Sequence, residues 1–490
     1  MQIPTLSLLI FTPVAAGILL LLFPANKRTL IRVTALVAAL ITFGLSVFLF
    51  FSYNTATAGY QFIEKMDWLP SLGISYFVGV DGISVAMELM AGLVVLSGVL
   101  VSWNVEDRPR EFFSFLMFLA ASVFGVFASL DLFQLFFFFE LAIFPKYLMI
   151  VIWGSPKTRE YGAMKLTLYL FLGSMVALVG VLALYFASGL HTFNLLELEH
   201  AGLLAATQKL WFPFVFIGFG VLGGLFPFHS WAPDGHVAAP TAVSMLLAGV
   251  EMKVGAFAAL RVGLMLLPDG MRFWAPLILV LATINVVYGA FIAMIQTDFK
   301  YVIGFSSVSH MGLVFIGFAT LTPEGLTGAG LQMFSHGVMT ALFFAIVGMV
   351  YDRAHTRNIK ELGGLAKFMP LAIVGFVVGG LVSMGMPGFS GFIAEVPIYI
   401  GAWKTFPITA IISALSIVVT AAYILLVVRR VFFGEVPQAL AEGVKGISIA
   451  DKVVIVMLSL VMILIGVFPS VLVPVIQAGV SHILVLAGGA

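Results

Sequence analysis

The stretch GVLGGLFPFHSWAPDGHVAAPT, residues 220–241, breaks an apolar segment with Gly223, Gly224, Pro227 and Pro233. A proline lacks the backbone donor and its ring clashes with the preceding turn, so the helical ladder is interrupted here. A second stretch, SMGMPGFSGFIAEVP (383–397), does the same with Gly385, Pro387, Gly388 and Gly391. Backbone groups freed inside hydrocarbon are tolerated only where protein or a cavity satisfies them. One such break reads as a packing kink. Two of them, five spans apart and each beside ionisable residues, point to an ion or substrate path between inverted repeats.

Composition sets the solvent. The chain has 490 residues, of which 61% are hydrophobic and 10% charged, against roughly 25% charged in soluble domains. It is a polytopic membrane protein. The 24 Lys and Arg nearly cancel the 23 Asp and Glu, so no basic surface suggests nucleic acid as a partner. Cysteine is absent, which excludes thiol catalysis, disulfides and Cys-ligated clusters in this chain. No His cluster has zinc spacing and no phosphate-binding glycine motif follows a strand, so no metal or cofactor is expected here. The N-terminal MQIPTLSLL has no basic run, so no cleaved signal peptide is expected.

Fourteen apolar segments can be counted between residues 5 and 475, most near the ~20 residues that span a bilayer. With the N-terminus outside, the odd-numbered loops hold seventeen of the 24 Lys and Arg, and the outer loops hold Lys65, Lys209, Arg272 and Lys404. That asymmetry places the odd loops in the cytoplasm. Arg261 and Lys165 read as snorkelling anchors or positive-inside markers near helix ends. The longest outer loop, 53–81, carries aromatic and β-branched residues around a Pro/Gly turn, the pattern of a short hairpin.

Ionisable residues within spans are costly, at least ~2.5 kcal/mol each, and mark function by default. Glu140 and Lys146 flank Pro145 in the fifth span. Glu251 and Lys253 lie mid-way along the eighth, about 200° apart around the helix. His310 is in the tenth span, and His336 in the eleventh follows Gln332 by one turn. Glu395 follows the second break. The bland alternatives are buried structural ion pairs for the carboxylates and lysines, and satisfied interhelical donors for the histidines. Lys300, in the short loop before the tenth span, is a candidate for proton uptake from the cytoplasm and equally a topology determinant.

Several of these residues sit in motifs that resemble a known family. GVDGIS before the third span, FFFFE (136–140), FPFHSWAPDGHVAAPTAVSMLLAG (226–249), Lys253, SSVSHMG (306–312), FSHG (334–337) and MPGFSGF followed by Glu395 are similar to the antiporter-like membrane subunits of respiratory complex I (NADH:quinone oxidoreductase). The subunit M branch fits best: the chain ends without the long lateral helix of the L branch, and Glu395 stands where L and N carry lysine. The resemblance implies an all-α integral membrane protein of about 14 transmembrane helices, with two inverted five-helix repeats and discontinuous helices 7 and 12. Residues 1–110 hold helices 1–3 and the hairpin, 111–264 the first repeat, 273–430 the second, and 451–490 helix 14 and a tail. It implies a proton relay of Glu140, Lys253, His310, His336 and Glu395, with His229, Asp234, His236, Pro227, Pro387 and Lys300 at the half-channel and helix breaks. NADH, FMN, iron–sulfur clusters and quinone are expected in partner subunits, and the L-like and N-like subunits are the expected neighbours in a bacterial cytoplasmic membrane. Both termini are expected on the outer side. The alternatives are a subunit of a multi-component sodium/proton antiporter or membrane-bound hydrogenase, and, further off, a quinone-binding redox subunit.

One departure from the family stands out. The seventh span usually carries a lysine just before its break, and this chain has Leu222 there. Lys146 is the candidate to supply the missing cation to Glu140, with Glu251 as a second candidate for rewired charge.

Overall fold

The computed structural model describes residues 4–57, 59–441 and 445–488. The first three residues, where the signal-peptide expectation begins, and the last two of the expected tail lie outside them. Among the described residues, thirteen helices are long and apolar enough to cross a membrane. The twelfth expected span is divided into Pro370–Ser383 and Ser390–Thr405, each alone short of a ~30 Å hydrocarbon core. The seventh runs as Ala205–Leu222, then a non-helical break, a short turn Phe228–Ser230 and the helix Trp231–Ala238. Both breaks read from the glycines and prolines are therefore present. The hairpin is present too: Gln61–Leu69 pairs antiparallel with Ile74–Val80 through the turn Pro70–Leu72, closed by Gly73 at φ 67°.

The first segment of the seventh span and that of the twelfth end in the same hydrogen-bonded cap. Gly224 (φ 77°) donates to Val221 and Leu225 to Gly220, while Gly385 (φ 60°) donates to Val382 and Met386 to Leu381. This is the glycine-terminated arrangement that satisfies the last carbonyls of a helix. A second correspondence lies at the loops. Asp131, which caps the fifth span, bridges to Asn194, and Asp298, which caps the tenth, bridges to Asn358.

The fifth span is itself in two pieces, Leu132–Leu141 and Ile143–Trp153, because Pro145 cannot donate to the turn before it. The eighth span (Thr241–Leu264) is lined end to end by other helices and contains two wide π-helical turns, Leu247–Glu251 and Ala259–Leu264. π-turns of this kind collect at functional sites. The third (Gly82–Val101), fourth (Pro109–Ala128), tenth (Phe299–Thr320) and eleventh (Pro323–Ala354) spans are also mostly enclosed, whereas the first, second, sixth, ninth and thirteenth present an apolar face outward.

Two expectations are corrected. The fourteenth span ends at Val467 rather than near 475, and the expected tail contains a further helix, Val473–Leu486, packed on the third and eleventh spans. Pro469 and Pro474 stop the ladder between the two. Arg261 is not a snorkelling anchor, and Lys165, one-fifth exposed, has a carboxylate partner. Arg261 is fully buried and bonds Asp81 at 2.7 Å, Ser84 at 2.7 Å and Tyr60 at 3.0 Å. Lys165 bonds Asp234 at 2.7 Å. A charge enclosed by protein needs a partner more than it needs the interface. Burial alone would raise the Asp81 carboxyl, but Arg261 and the Ser84 N–H outweigh it and hold it below its ordinary value.

Candidate functional site

Lys300 lies in the first turn of the tenth span, where Asp298 caps the helix. Its stem does not run to solvent. The ammonium donates to Ala239 O at 2.7 Å and Ser244 Oγ at 3.2 Å, just past the broken seventh span. It also lines a surface cavity of about 680 Å³ whose wall includes Asp352, Arg353, Arg357 and Asp451. A buried cation thus stands between a charged vestibule and the interior.

Beyond Lys300 the polar groups continue inward. His236 is fully enclosed, and neither ring nitrogen has a hydrogen-bond partner among the described residues. Lys253, also fully buried, donates to Ala248 O within the π-turn Leu247–Glu251. It is within electrostatic reach of His236, His310 and His336. His310 and His336 stack with ring centroids 5.3 Å apart and planes 12° from parallel. Glu395 Oε1 is 3.8 Å from His310 Nε2.

His310 has partners for either protonation state. Nδ1 donates to Ser306 O at 2.8 Å. Nε2 can accept from the Ser383 hydroxyl at 3.3 Å when neutral, or donate to the Ser383 carbonyl at 3.2 Å when charged. A neutral imidazole needs one acceptor and one donor, and an imidazolium needs two acceptors. The ring therefore has hydrogen-bond partners both before and after it takes a proton.

Glu395 owes its position to the second break. Its Oε2 lies over Gly385, where an added Cβ would stand 2.7 Å away. Gly385 has φ 60°, a region that costs any other L-residue about 1–2 kcal/mol. Gln332 lies beside the same carboxyl.

The remaining expected residues are brought elsewhere. At the first break His229 stacks on Phe226 with centroids 5.5 Å apart and meets Tyr288 edge-on at 5.2 Å. Asp234 is clamped by Lys165 and by Tyr301 Oη at 2.7 Å. Pro227 and Pro387 follow the two glycine caps. Glu140 is only half-buried, among the outward-facing Phe137, Leu141 and Phe144. Lys146 does not pair with it. The Lys146 ammonium bonds Glu251 Oε2, and both side chains are about 1% exposed. Leu222 packs on Gly255, two residues from Lys253, so the cation near the eighth span comes from the fifth.

Two polar residues were not singled out from the sequence. Asn285 of the ninth span donates to Gly224 O at 2.7 Å and accepts from the Phe226 N–H, filling the seventh-span break. Glu88 in the third span is fully buried with neither oxygen partnered among the described residues. The same rule that flagged Glu140 applies to it.

Residues 129–436 match the family model described as "NADH:quinone oxidoreductase/Mrp antiporter, TM". A Synechocystis protein, NAD(P)H-quinone oxidoreductase chain 4-2, is 37% identical over 442 residues, covering 88% of this chain and 78% of the relative. The chain belongs to this antiporter-like family. Within it, similarity to the chain 4 proteins puts it on the subunit M branch. A chain of respiratory complex I from Thermus thermophilus superposes with TM-score 0.88 at 30% identity, covering 98% of this chain and 99% of that one. A chain of the Mrp complex from Dietzia shares the fold, with TM-score 0.86 at 20% identity and 98% of each covered.

Proposed function

We propose that this chain moves protons as a membrane-arm subunit of a complex I-type NADH:quinone oxidoreductase. The observation that carries the proposal is the enclosed series from the charged vestibule through Lys300, His236, Lys253, His336 and His310 to Glu395. Intramembrane ionisable groups that face the interior and meet one another mark proton relays. The two matching glycine caps and the two matching Asp–Asn bridges support reading the middle of the chain as two repeats around that path.

The basic vestibule belongs on the cytoplasmic face by the distribution of Lys and Arg. The hairpin and both termini then face outward, in a bacterial cytoplasmic membrane. Electron transfer, with its NADH, flavin, clusters and quinone, is assigned to partner subunits, and the L-like and N-like subunits are the neighbours. A group that relays protons must both lose and regain one, which Lys253→Met prevents. In the purified complex reconstituted into vesicles, Lys253→Met and Glu395→Gln should each abolish most proton uptake while the complex still assembles. Glu395→Asp keeps a titrating group and should be milder. Full pumping by assembled Lys253→Met and Glu395→Gln complexes would remove the relay.

A further inference from the structure

Tyr423, in the thirteenth span (Pro407–Phe432), is buried beside the relay and used by no step above. Its hydroxyl shares a 2.7 Å hydrogen bond with Ser306 Oγ in which either oxygen can donate. The hydroxyls of Thr420, three residues earlier on the same helix, and of Ser383 lie beside the same oxygen. Ser306 and Ser383 are also the two residues that hold His310, the first through its carbonyl and the second through both its carbonyl and its hydroxyl. Ser383 ends the first half of the twelfth span. Tyr423 therefore joins the thirteenth span, the second break and the histidine pair through hydroxyl groups alone.

The Ser383 hydroxyl cannot serve both states of the ring in one orientation. While His310 is neutral it donates to Nε2 at 3.3 Å and covers the lone pair that must take the proton. Once the ring is charged, Nε2 donates to the Ser383 carbonyl at 3.2 Å, and a hydroxyl hydrogen still aimed at Nε2 would meet another hydrogen. It has to turn away, and a buried hydroxyl needs a new acceptor when it does. Tyr423 Oη is the acceptor at hand.

We infer that Tyr423 is a positioning residue of the relay: it receives the Ser383 hydroxyl when His310 takes a proton, while its own hydroxyl turns to Ser306. This rests on the proton-relay reading above and adds a residue from a span outside it. With His310 neutral, Ser306 donates to Tyr423, Tyr423 to Ser383 and Ser383 to Nε2. With His310 charged, Ser383 donates to Tyr423 and Tyr423 to Ser306. Each hydroxyl keeps its own hydrogen, and only the direction of donation reverses. The moving proton arrives at and leaves from Nε2, with Glu395 Oε1 3.8 Å away.

The two hydroxyls make opposite demands, which a double-mutant cycle in the whole complex exposes. Tyr423→Phe keeps the ring and removes the acceptor, so the Ser383 hydrogen is left over the lone pair. Proton uptake per assembled complex in vesicles should fall roughly tenfold. Ser383→Ala removes the hydroxyl that has to move and keeps the carbonyl that receives the charged ring, so it should cost only about threefold. Adding Ser383→Ala to Tyr423→Phe should then raise uptake back to the Ser383→Ala level, a rescue that loss of packing cannot give. A double variant that pumps no better than Tyr423→Phe alone would overturn the inference. So would a Tyr423→Phe complex that pumps at the wild-type rate. Lys253→Met in the same vesicles separates the two levels: normal pumping there would sink the relay itself, whereas loss there without rescue in the cycle would sink only the role of Tyr423.

Discussion

Asn285 bonds backbone groups that exist as free partners only because the seventh span is broken. Replacing it with leucine would bury the Gly224 carbonyl and the Phe226 N–H without partners, at about 1–3 kcal/mol each. Asn285→Leu is therefore expected to lose about 2–5 kcal/mol in the thermal or denaturant stability of the complex, and Asn285→Asp, which keeps the acceptor, should lose less. An unchanged midpoint in Asn285→Leu would mean the break is held by other groups. Side chains of this kind mark the limit of what the sequence discloses. Glu140, Lys253, His310, His336 and Glu395 are legible because charge or imidazole inside an apolar run is anomalous by itself. Asn285 is uncharged, and its importance lies in what the seventh span lacks. The partner of Lys146 was misread for a related reason. Helical geometry fixes angles between Glu140 and Lys146 on one helix, but the approach of Glu251 depends on how the fifth and eighth spans pack.

The broken elements pair a common cap with different contents. The cap glycines Gly224 and Gly385 each precede an acid by ten residues, Asp234 and Glu395. In the first case Lys165 and Tyr301 hold the acid, and in the second it faces a histidine pair. Gly385→Ala places a Cβ in the left-handed region and against the Glu395 carboxylate. It should cost about 1–2 kcal/mol of stability and reduce pumping by more than the loss of assembled complex explains. Gly388, at φ 89°, has open space where its Cβ would go, so Gly388→Ala supplies the backbone strain without touching Glu395. Equal pumping defects in both variants would assign the effect to strain alone. The breaks themselves were readable, since Gly and Pro act locally. The π-turns that flank Lys253 were not, because nothing in LAGVE or ALRVGL separates a wide turn from an ordinary one.

At the scale of the molecule, hydropathy located nearly every span, and the enclosed helices are the less apolar ones: the eighth span, wholly enclosed, has a mean hydropathy of 1.6, and the thirteenth, largely outward-facing, has 2.7. The orientation proposed above can be tested cleanly, because the chain has no cysteine of its own. Single cysteines at Ser71, in the exposed hairpin turn, and at Lys157, in the exposed loop after the fifth span, should react with an impermeant thiol reagent from opposite sides of intact cells. Ser71→Cys should label from outside, and labelling of both from one side would overturn the orientation. The arrangement of an enclosed centre within an apolar rim has an electrical consequence. A charge crossing the full membrane potential does work of about 2.3 kcal/mol per 100 mV. In the proposed relay, Lys300, Lys253 and Glu395 are buried away from the lipid by the surrounding helices, so a proton passing between them does that work inside protein rather than in hydrocarbon.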